Sequence, residues 1–193
     1  MSIDVLETLR RIGALKQGHF LLSSGRHSDH YVEKFELLRL PVETQRVCAA
    51  IAERFDDRPI DVVVGPTTGG ILLAFEVARQ LGCPAAYAER RTDGQPGREI
   101  RRGTMFRAGN RVLVVDDILT TGGSVQETLQ ALAPHHVEIV AVAVLVDRSA
   151  GRVQFEVPLI PLATLEIDTY LPEHCPLCAR RLPLVKPGTT TTT

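Results

Sequence analysis

Hydrophobic residues follow two different periodicities along this chain. The helical spacing near the start is that of Val5, Leu6, Leu9 and Ile12. It predicts an amphipathic helix over residues 2–13, capped by Ser2 and ended by Gly13. Further along, short apolar runs rich in Val and Ile predict strands, which alternate with helical patterns. The predicted strands span residues 61–65, 85–88, 111–116 and 137–146. The other predicted helices span residues 42–55, 69–81 and 123–132.

The alternation of strands and helices decides the fold class. Strands that are apolar at every position are typical of a sheet covered on both faces, as parallel sheets are. The sequence therefore predicts an α/β fold with a central, mainly parallel sheet flanked by helices. Residues 1–186 form one predicted domain, and the low-complexity residues 187–193 a disordered tail.

Two long segments show neither periodicity. Residues 18–31, GHFLLSSGRHSDHY, are mostly polar. Residues 90–107 lie between two predicted strands and contain three glycines and a proline in TDGQPGREIRRGT. A loop of this length inside a compact domain is usually functional or disordered.

Composition and charge narrow the possible functions. Hydrophobic residues make up 44% of the 193 residues and charged residues 23%, an ordinary globular balance. The net charge of -1 gives no overall basic field, so a nucleic-acid partner is not expected. The longest apolar run, residues 139–146, is shorter than the roughly 18 residues that span a bilayer. The start of the chain lacks the apolar stretch of a signal peptide. We expect a cytoplasmic protein without a membrane partner.

The most informative motif is VLVVDDILTTGGS at residues 112–124. A buried strand delivers Asp116 and Asp117 to its carboxyl end, where open α/β sheets bind ligands. Glycines and a helix start follow, an arrangement that favours phosphate. Hydroxyl groups for hydrogen bonds come from Thr120, Thr121 and Ser124. The two acids fit this loop if they bind sugar hydroxyls or a Mg²⁺ shared with the phosphates. The alternative is a tight turn with two solvated acids.

This motif resembles the signature with which type I phosphoribosyltransferases bind phosphoribosyl diphosphate (PRPP). The resemblance implies that Asp116 and Asp117 contact the ribose hydroxyls. It implies that the 5′-phosphate is cradled by Ile118, Leu119, Thr120, Thr121, Gly122, Gly123 and Ser124. It also implies the fold of that family, with a small hood built from about residues 1–40 and the C-terminal part. The motif does not choose the acceptor base.

Two other segments resemble the orotate-specific members. Residues 21–31 are similar to their N-terminal segment. Arg148 follows the strand at 137–146, and a guanidinium suits a planar carboxylate or imide edge, both of which orotate carries. In that family an Asp-Arg pair stands here and its arginine binds orotate. Arg148 and Thr120 are therefore the expected orotate contacts, whereas the alternative for Arg148 is a surface arginine at a strand end.

The pyrophosphate site is expected at GPTTGGI, residues 65–71, which resembles the family's pyrophosphate loop. The contacts are assigned to Thr67, Thr68 and Gly69. A lysine is usual at the Gly69 position, so cations must come from elsewhere. The loop at 90–107 offers Arg90, Arg91, Arg98, Arg101 and Arg102.

In the family this loop closes over PRPP, usually across a dimer interface, so the resemblance implies a homodimer with shared active sites. Arg90 and Arg91 lie nearest the family's first basic pair and are expected to bind PRPP and to be catalytic with Asp116 and Asp117. The alternative for these arginines is a solvated basic loop.

The implied reaction joins ribose 5-phosphate from PRPP to orotate, giving orotidine 5′-phosphate and pyrophosphate in de novo pyrimidine biosynthesis. The implied cofactor is Mg²⁺, bound through PRPP without a direct side-chain ligand and touching Asp116 or Asp117 through water. The alternatives are a purine (adenine-type) phosphoribosyltransferase and a non-catalytic PRPP-sensing regulator. A neutral purine has no carboxylate for Arg148 to meet.

The C-terminal Cys175-Pro-Leu-Cys178, which follows His174, is typical of one branch of the orotate family and has zinc-knuckle spacing. A structural zinc normally needs four ligands, and the chain has no second Cys-x-x-Cys. The sequence favours inert terminal cysteines over a zinc site, including one shared between subunits, or a redox pair. His27 and His30 are expected to be surface or turn residues.

Overall fold

The computed structural model describes residues 3–22 and 24–187. The helices are α1 (Val5–Arg11), α2 (Lys34–Leu38), α3 (Pro41–Ala52), α4 (Gly69–Leu81), α5 (Gly123–Leu132) and α6 (Pro176–Ala179). The strands are β1 (Leu15–Leu21), β2 (His27–Val32), β3 (Val62–Pro66), β4 (Ala85–Arg90), β5 (Arg98–Ile100), β6 (Arg111–Leu119), β7 (Glu138–Asp147), β8 (Leu159–Thr164) and β9 (Thr169–Tyr170).

The larger sheet has the strand order β5-β4-β3-β6-β7-β8. All of its pairings are parallel except β4 with β5. Residues of β6 alternate between two cores: Leu113 and Val115 pack with α3 and α4, and Val112 and Val114 pack with α5. Both faces are covered because every side chain of this strand interior is apolar. The predicted α/β fold is confirmed.

A second, smaller sheet forms a hood over one end of the molecule. Its order is β1-β2-β9, and both pairings are antiparallel. The C-terminal segment continues along the outer edge of β1, where Leu21 N donates to Val185 O at 2.8 Å and Val185 N donates to His19 O at 2.8 Å. The hood therefore joins the N-terminal and C-terminal parts of the chain.

Some element bounds differ from the sequence predictions. Helices α4 and α5 have the predicted bounds, whereas α1 begins at Val5 because the Asp4 carboxylate accepts a hydrogen bond from Glu7 N at 2.9 Å. The proposed cap Ser2, as well as Ser23 and tail residues 188–193, lie outside the described residues.

Strands also occur where none was predicted. The polar segment 18–31 contributes to both strands of the hood hairpin, and β5 forms inside the segment 90–107. Neither segment has the alternating pattern of apolar and polar residues that predicts a strand. Within the described part of the chain, no helix has the length and apolar character to cross a bilayer.

Candidate active site

A cleft of about 570 Å³ opens at the carboxyl ends of the parallel strands. It is lined by Lys34, Phe35, Thr67, Thr68, Glu89, Arg90, Arg98 and Ser124. These residues come from the hood side, from the β3–α4 turn, from β4 and β5, and from the start of α5. The structure thus brings the predicted pyrophosphate loop and phosphate loop to one place, as the resemblance implied.

The phosphate loop wraps a separate small hollow, lined by Asp116 and residues 118–125. Gly122 precedes α5 with φ +78°, and a Cβ there would lie 2.7 Å from Val153 Cγ1, so both backbone and space require glycine. No side chain caps α5. The first-turn N–H groups of this helix are therefore available to an anion.

Asp116 and Asp117 are neighbours on β6, and so their side chains point to opposite faces of the sheet. Asp116 lies on the α5 side, and its Oδ1 accepts a hydrogen bond from Asp117 N at 2.8 Å. Burial, followed by the charge of Asp117, raises the pKa of Asp116 to about 7, although Lys34 and Arg98 oppose this shift. Two carboxylates that are 7% and 3% exposed create a strong demand for positive charge or hydrogen-bond donors.

Asp117 faces the other side of the sheet, where Lys34 Nζ lies 2.9 Å from its Oδ2 and donates to its Oδ1 at 3.2 Å. This carboxylate occupies the space beside Gly69, since a Cβ at Gly69 would lie 1.9 Å from Asp117 Oδ2. The structure therefore has no room for a side chain at the position where lysine is usual. Lys34, which sequence analysis did not identify, brings a cation into the cleft from just after β2.

Arg98 connects the two loops of the cleft. Its guanidinium donates to Thr67 Oγ1 at 2.8 Å and to Ala88 O at 3.0 Å, and it approaches Ser124 Oγ at 3.5 Å. Its Nε lies 3.2 Å from Glu127 Oε2, and its side chain is only 2% exposed. Burial lowers the pKa of Arg98. The sequence places Arg98 among the loop arginines but predicts no individual role for it.

The other arginines of this loop lie in different surroundings. Arg90 lines the cleft. Arg91 is exposed and pairs with Asp93. Arg101 and Arg102 are exposed and lie beside Glu89. The structure therefore separates Arg90 from Arg91, which the sequence had grouped, and the catalytic roles of both stay predictions.

Arg148 follows β7 at the same edge of the sheet. Its backbone N donates to Leu119 O at 2.8 Å, which holds it beside the start of the phosphate loop and Thr120. The side chain is half-buried, and Nε finds no hydrogen-bond acceptor among the described residues. Burial lowers the pKa of Arg148, and the Tyr31 phenol of the hood has the opposite effect. A half-buried guanidinium whose Nε has no acceptor among the described residues is placed to receive an anionic ligand.

Comparison with known proteins shows the family of this chain. The phosphoribosyl transferase domain family matches residues 36–158. An orotate phosphoribosyltransferase of Caldicellulosiruptor bescii is 46% identical over 183 residues, which cover 95% of each chain. That of Thermus thermophilus is 43% identical over 94% of this chain and 98% of its own.

A solved structure gives the same result. The crystal structure of orotate phosphoribosyltransferase from Aeropyrum pernix superimposes with a TM-score of 0.72 at 29% identity, covering 84% of this chain and 94% of that one. High identity over nearly the whole chain, together with the match to the family model, shows that the chain belongs to the orotate phosphoribosyltransferase family.

Proposed function

We propose that this protein transfers ribose 5-phosphate from PRPP to orotate and that Arg148 recognises the orotate carboxylate. The observation that carries this assignment is the half-buried Arg148, whose Nε lacks an acceptor among the described residues at the sheet edge that holds the phosphate loop. A neutral purine would leave this cation unpaired, which is unfavourable in a desolvated site.

Different parts of the site bind different parts of PRPP. The helix start at α5 binds the 5′-phosphate, and Asp116 and Asp117 hold the ribose hydroxyls. The pyrophosphate loop at Thr67 and Thr68 receives the leaving group.

As the bond from C1 to the pyrophosphate oxygen breaks, negative charge grows on pyrophosphate and positive charge on the anomeric carbon. Lys34, Arg90 and Arg98 surround the side on which pyrophosphate leaves and stabilise its charge. The orotate nitrogen then forms the new bond to the anomeric carbon and loses its proton, which the departing pyrophosphate can accept.

Mg²⁺ belongs to the same proposal. The groups present are oxygen donors, the ligands that this ion prefers. Asp116 and Asp117 are buried, and burial, followed by the charge of Asp117, raises the pKa of Asp116, so a nearby cation would favour its ionised form. These residues fit an ion held through PRPP, with Asp116 or Asp117 in its outer sphere. Bound there, Mg²⁺ would neutralise charge on the pyrophosphate group.

The proposed homodimer has support in one surface. Helices α2, α3 and α4 pack together and expose several large apolar side chains. They are Phe35, Leu40, Val42, Leu72 and Phe75. Exposed large apolar side chains on helices that pack together are typical of a protein interface. Phe75→Glu should shift the sedimentation coefficient from dimer to monomer, whereas Met105→Glu, which alters an exposed side chain elsewhere, should not.

A cytoplasmic location is also part of the proposal. The cysteines Cys48, Cys83, Cys175 and Cys178 are all free. Free thiols are typical of a reducing compartment.

A substrate panel tests the function. The purified protein is incubated with PRPP, Mg²⁺ and one of orotate, adenine, hypoxanthine or uracil, and nucleotide formation is followed. We expect orotate alone to react. Arg148→Ala should lower kcat/KM for orotate by roughly tenfold to several hundredfold, because a charge-assisted contact is lost.

The matched control is Arg54→Ala, which removes an exposed arginine after α3 and should leave the rate unchanged. Reaction with adenine instead would contradict the assignment of Arg148. PRPP binding without reaction of any base would contradict the enzymatic function and favour a PRPP-sensing regulator.

A further inference from the structure

A cluster of two histidines and two cysteines lies in the hood, away from the cleft. His19 is on β1, His27 is on β2, Cys175 precedes α6 and Cys178 lies within it. One nitrogen or sulfur atom of each residue lies within 4.8 Å of the corresponding atoms of the other three. His19, His27 and Cys175 are buried, and Cys178 is at the surface. The four residues come together only because the hood hairpin meets the C-terminal segment.

The distances between these atoms match those between the ligands of one small cation. His19 Nε2 lies 2.9 Å from His27 Nδ1, 3.5 Å from Cys175 Sγ and 3.7 Å from Cys178 Sγ, and Cys178 Sγ lies 3.3 Å from His27 Nδ1. Tetrahedral Zn²⁺ would place two nitrogens about 3.3 Å apart, and a nitrogen and a sulfur about 3.6 Å apart. These four distances therefore differ from those of a zinc site by a few tenths of an ångström, and no pair of the four ligand atoms is more than 4.8 Å apart.

The second nitrogen of His19 fixes the orientation of its ring. His19 Nδ1 lies 2.9 Å from the carbonyl oxygen of Leu182, so Nδ1 carries the proton and donates it to that oxygen. Nε2 is then left with a lone pair that points into the cluster. A histidine that ligates a metal commonly donates its other N–H to a backbone carbonyl in this way. This hydrogen bond does not involve the cysteines, and it is a second observation that indicates His19 as a metal ligand.

We propose that His19, His27, Cys175 and Cys178 bind a structural Zn²⁺. The donor set, two imidazoles and two thiolates, is one that tetrahedral structural zinc sites use. The site is complete within one chain and needs no second Cys-x-x-Cys. One sequence-based expectation is wrong, because His27 is buried in β2 and is not a surface or turn residue. The proposal replaces the interpretation of Cys175 and Cys178 as inert, and it leaves out the neighbouring His174, which is exposed and outside the cluster.

The position of this site gives it a structural role. The pairing of β1 with β2 changes register between Gln17 and Phe20, and a bulge of this kind re-aims the intervening side chains, including His19. Zinc would tie α6 to both strands of the hairpin. The same hairpin carries Tyr31, beside Arg148, and leads directly to Lys34. The metal would therefore fix the hood against the cleft without touching substrate.

Metal analysis of the full chain, produced without a histidine tag, tests this proposal. We expect about one zinc per chain by elemental mass spectrometry. Protein refolded from chelator with Co²⁺ should show the intense visible bands of tetrahedral cobalt and a thiolate-to-cobalt charge-transfer band. Removal of zinc should lower Tm by roughly 10 °C, because the metal binds only the folded arrangement of its ligands.

Variants distinguish the site from adventitious binding. Cys178→Ser, at the surface, should lose zinc and the charge-transfer band, whereas Cys83→Ser and His174→Ala should retain both. A protein that contains no zinc and takes up no Co²⁺ would overturn the proposal. So would a Cys175–Cys178 disulfide in protein purified under reducing conditions, or zinc retained by both Cys178→Ser and His27→Ala. None of these readouts depends on which base the enzyme uses.

Discussion

The cleft and the hood cluster are both polar centres, but their charges are arranged in opposite ways. The cleft and the sheet edge beside it contain charges of both signs: Asp117 pairs with Lys34, Arg98 pairs with Glu127, and Arg148 has an Nε without an acceptor among the described residues. The hood cluster has four neutral or anionic donor atoms around one point. The cleft therefore suits a ligand with phosphates, hydroxyls and a carboxylate, whereas the cluster suits a single cation.

The two centres also differ in the backbone that supports them. The cleft lies at the ends of parallel strands that carry loops and helix starts, where a ligand can enter and leave. The cluster joins an antiparallel hairpin to a short helix, and three of its four side chains are buried. We infer that the first centre exchanges ligands and the second holds one permanently.

The strongest test of the cleft is Gly69→Ala. The new Cβ would lie 1.9 Å from Asp117 Oδ2, so the carboxylate must move out of its contact with Lys34. We expect kcat/KM to fall by roughly a hundredfold or more, because small displacements of positioning groups have large effects on rate. Zinc content should not change. An active variant would show that the position of Asp117 does not matter, and loss of zinc would show that the two centres are not separate.

Comparison of Arg98→Ala with Arg91→Ala tests which loop arginine serves the cleft. Arg98 contacts Thr67 and approaches Ser124, whereas Arg91 pairs with Asp93 at the surface. We expect Arg98→Ala to lower kcat/KM by roughly ten- to a hundredfold, and Arg91→Ala to have a smaller effect. Steady-state kinetics with varied PRPP would measure both. A larger loss for Arg91→Ala would favour the sequence-based grouping of Arg90 with Arg91.

Asp116→Asn should separate stability from activity. Because the folded-state pKa of Asp116 is about 7 and the ordinary value is 3.8, the folded protein keeps a proton that the unfolded chain releases between these values. The free energy of unfolding therefore falls as pH rises from about 4 to about 7. Asp116→Asn has no carboxyl group to ionise, so its free energy of unfolding does not fall in this way. At pH 8 the variant should be more stable than wild type by roughly 1–3 kcal/mol, although less active.

Urea unfolding at pH 5 and pH 8 measures this difference. Asp56→Asn, at an exposed carboxylate, is the matched control and should follow the wild-type pH dependence. Equal stability of Asp116→Asn and wild type at pH 8 would mean that neighbouring groups already compensate the negative charge of Asp116 in the protein without ligand. The cleft and the hood cluster would then differ less in how their charges are arranged.

The smallest expected effect is the coupling between the two centres. PRPP at about 100 times its Kd should raise the free energy of unfolding by about 2.7 kcal/mol. If the centres act separately, this increment should be the same in protein with and without zinc to within about 0.5 kcal/mol. Isothermal denaturation of the four combinations measures the coupling. A larger difference would mean that zinc, by holding the hood, also prepares the cleft.

Much of the fold could be predicted from the sequence. Helices α4 and α5 were predicted with their observed bounds, and the central strands with small errors, because the helices have an amphipathic periodicity and the strands are short continuous apolar runs. The hood strands and β5 could not be predicted, since their residues are mostly polar and acquire strand structure through pairing with distant segments. The residues of the phosphate loop lie together in the chain, which is why one motif predicted them.

The sequence by itself determined the α/β architecture and the resemblance to the orotate family, and it predicts the phosphate loop at residues 118–124, because these depend on patterns and motifs within short stretches of chain. Only the tertiary structure decided that Lys34 and Arg98 enter the cleft, that Gly69 leaves room for Asp117, and that His19 and His27 meet the C-terminal cysteines. The physical reason is distance along the chain: these contacts join residues that only the packed sheets and helices bring within a few ångströms.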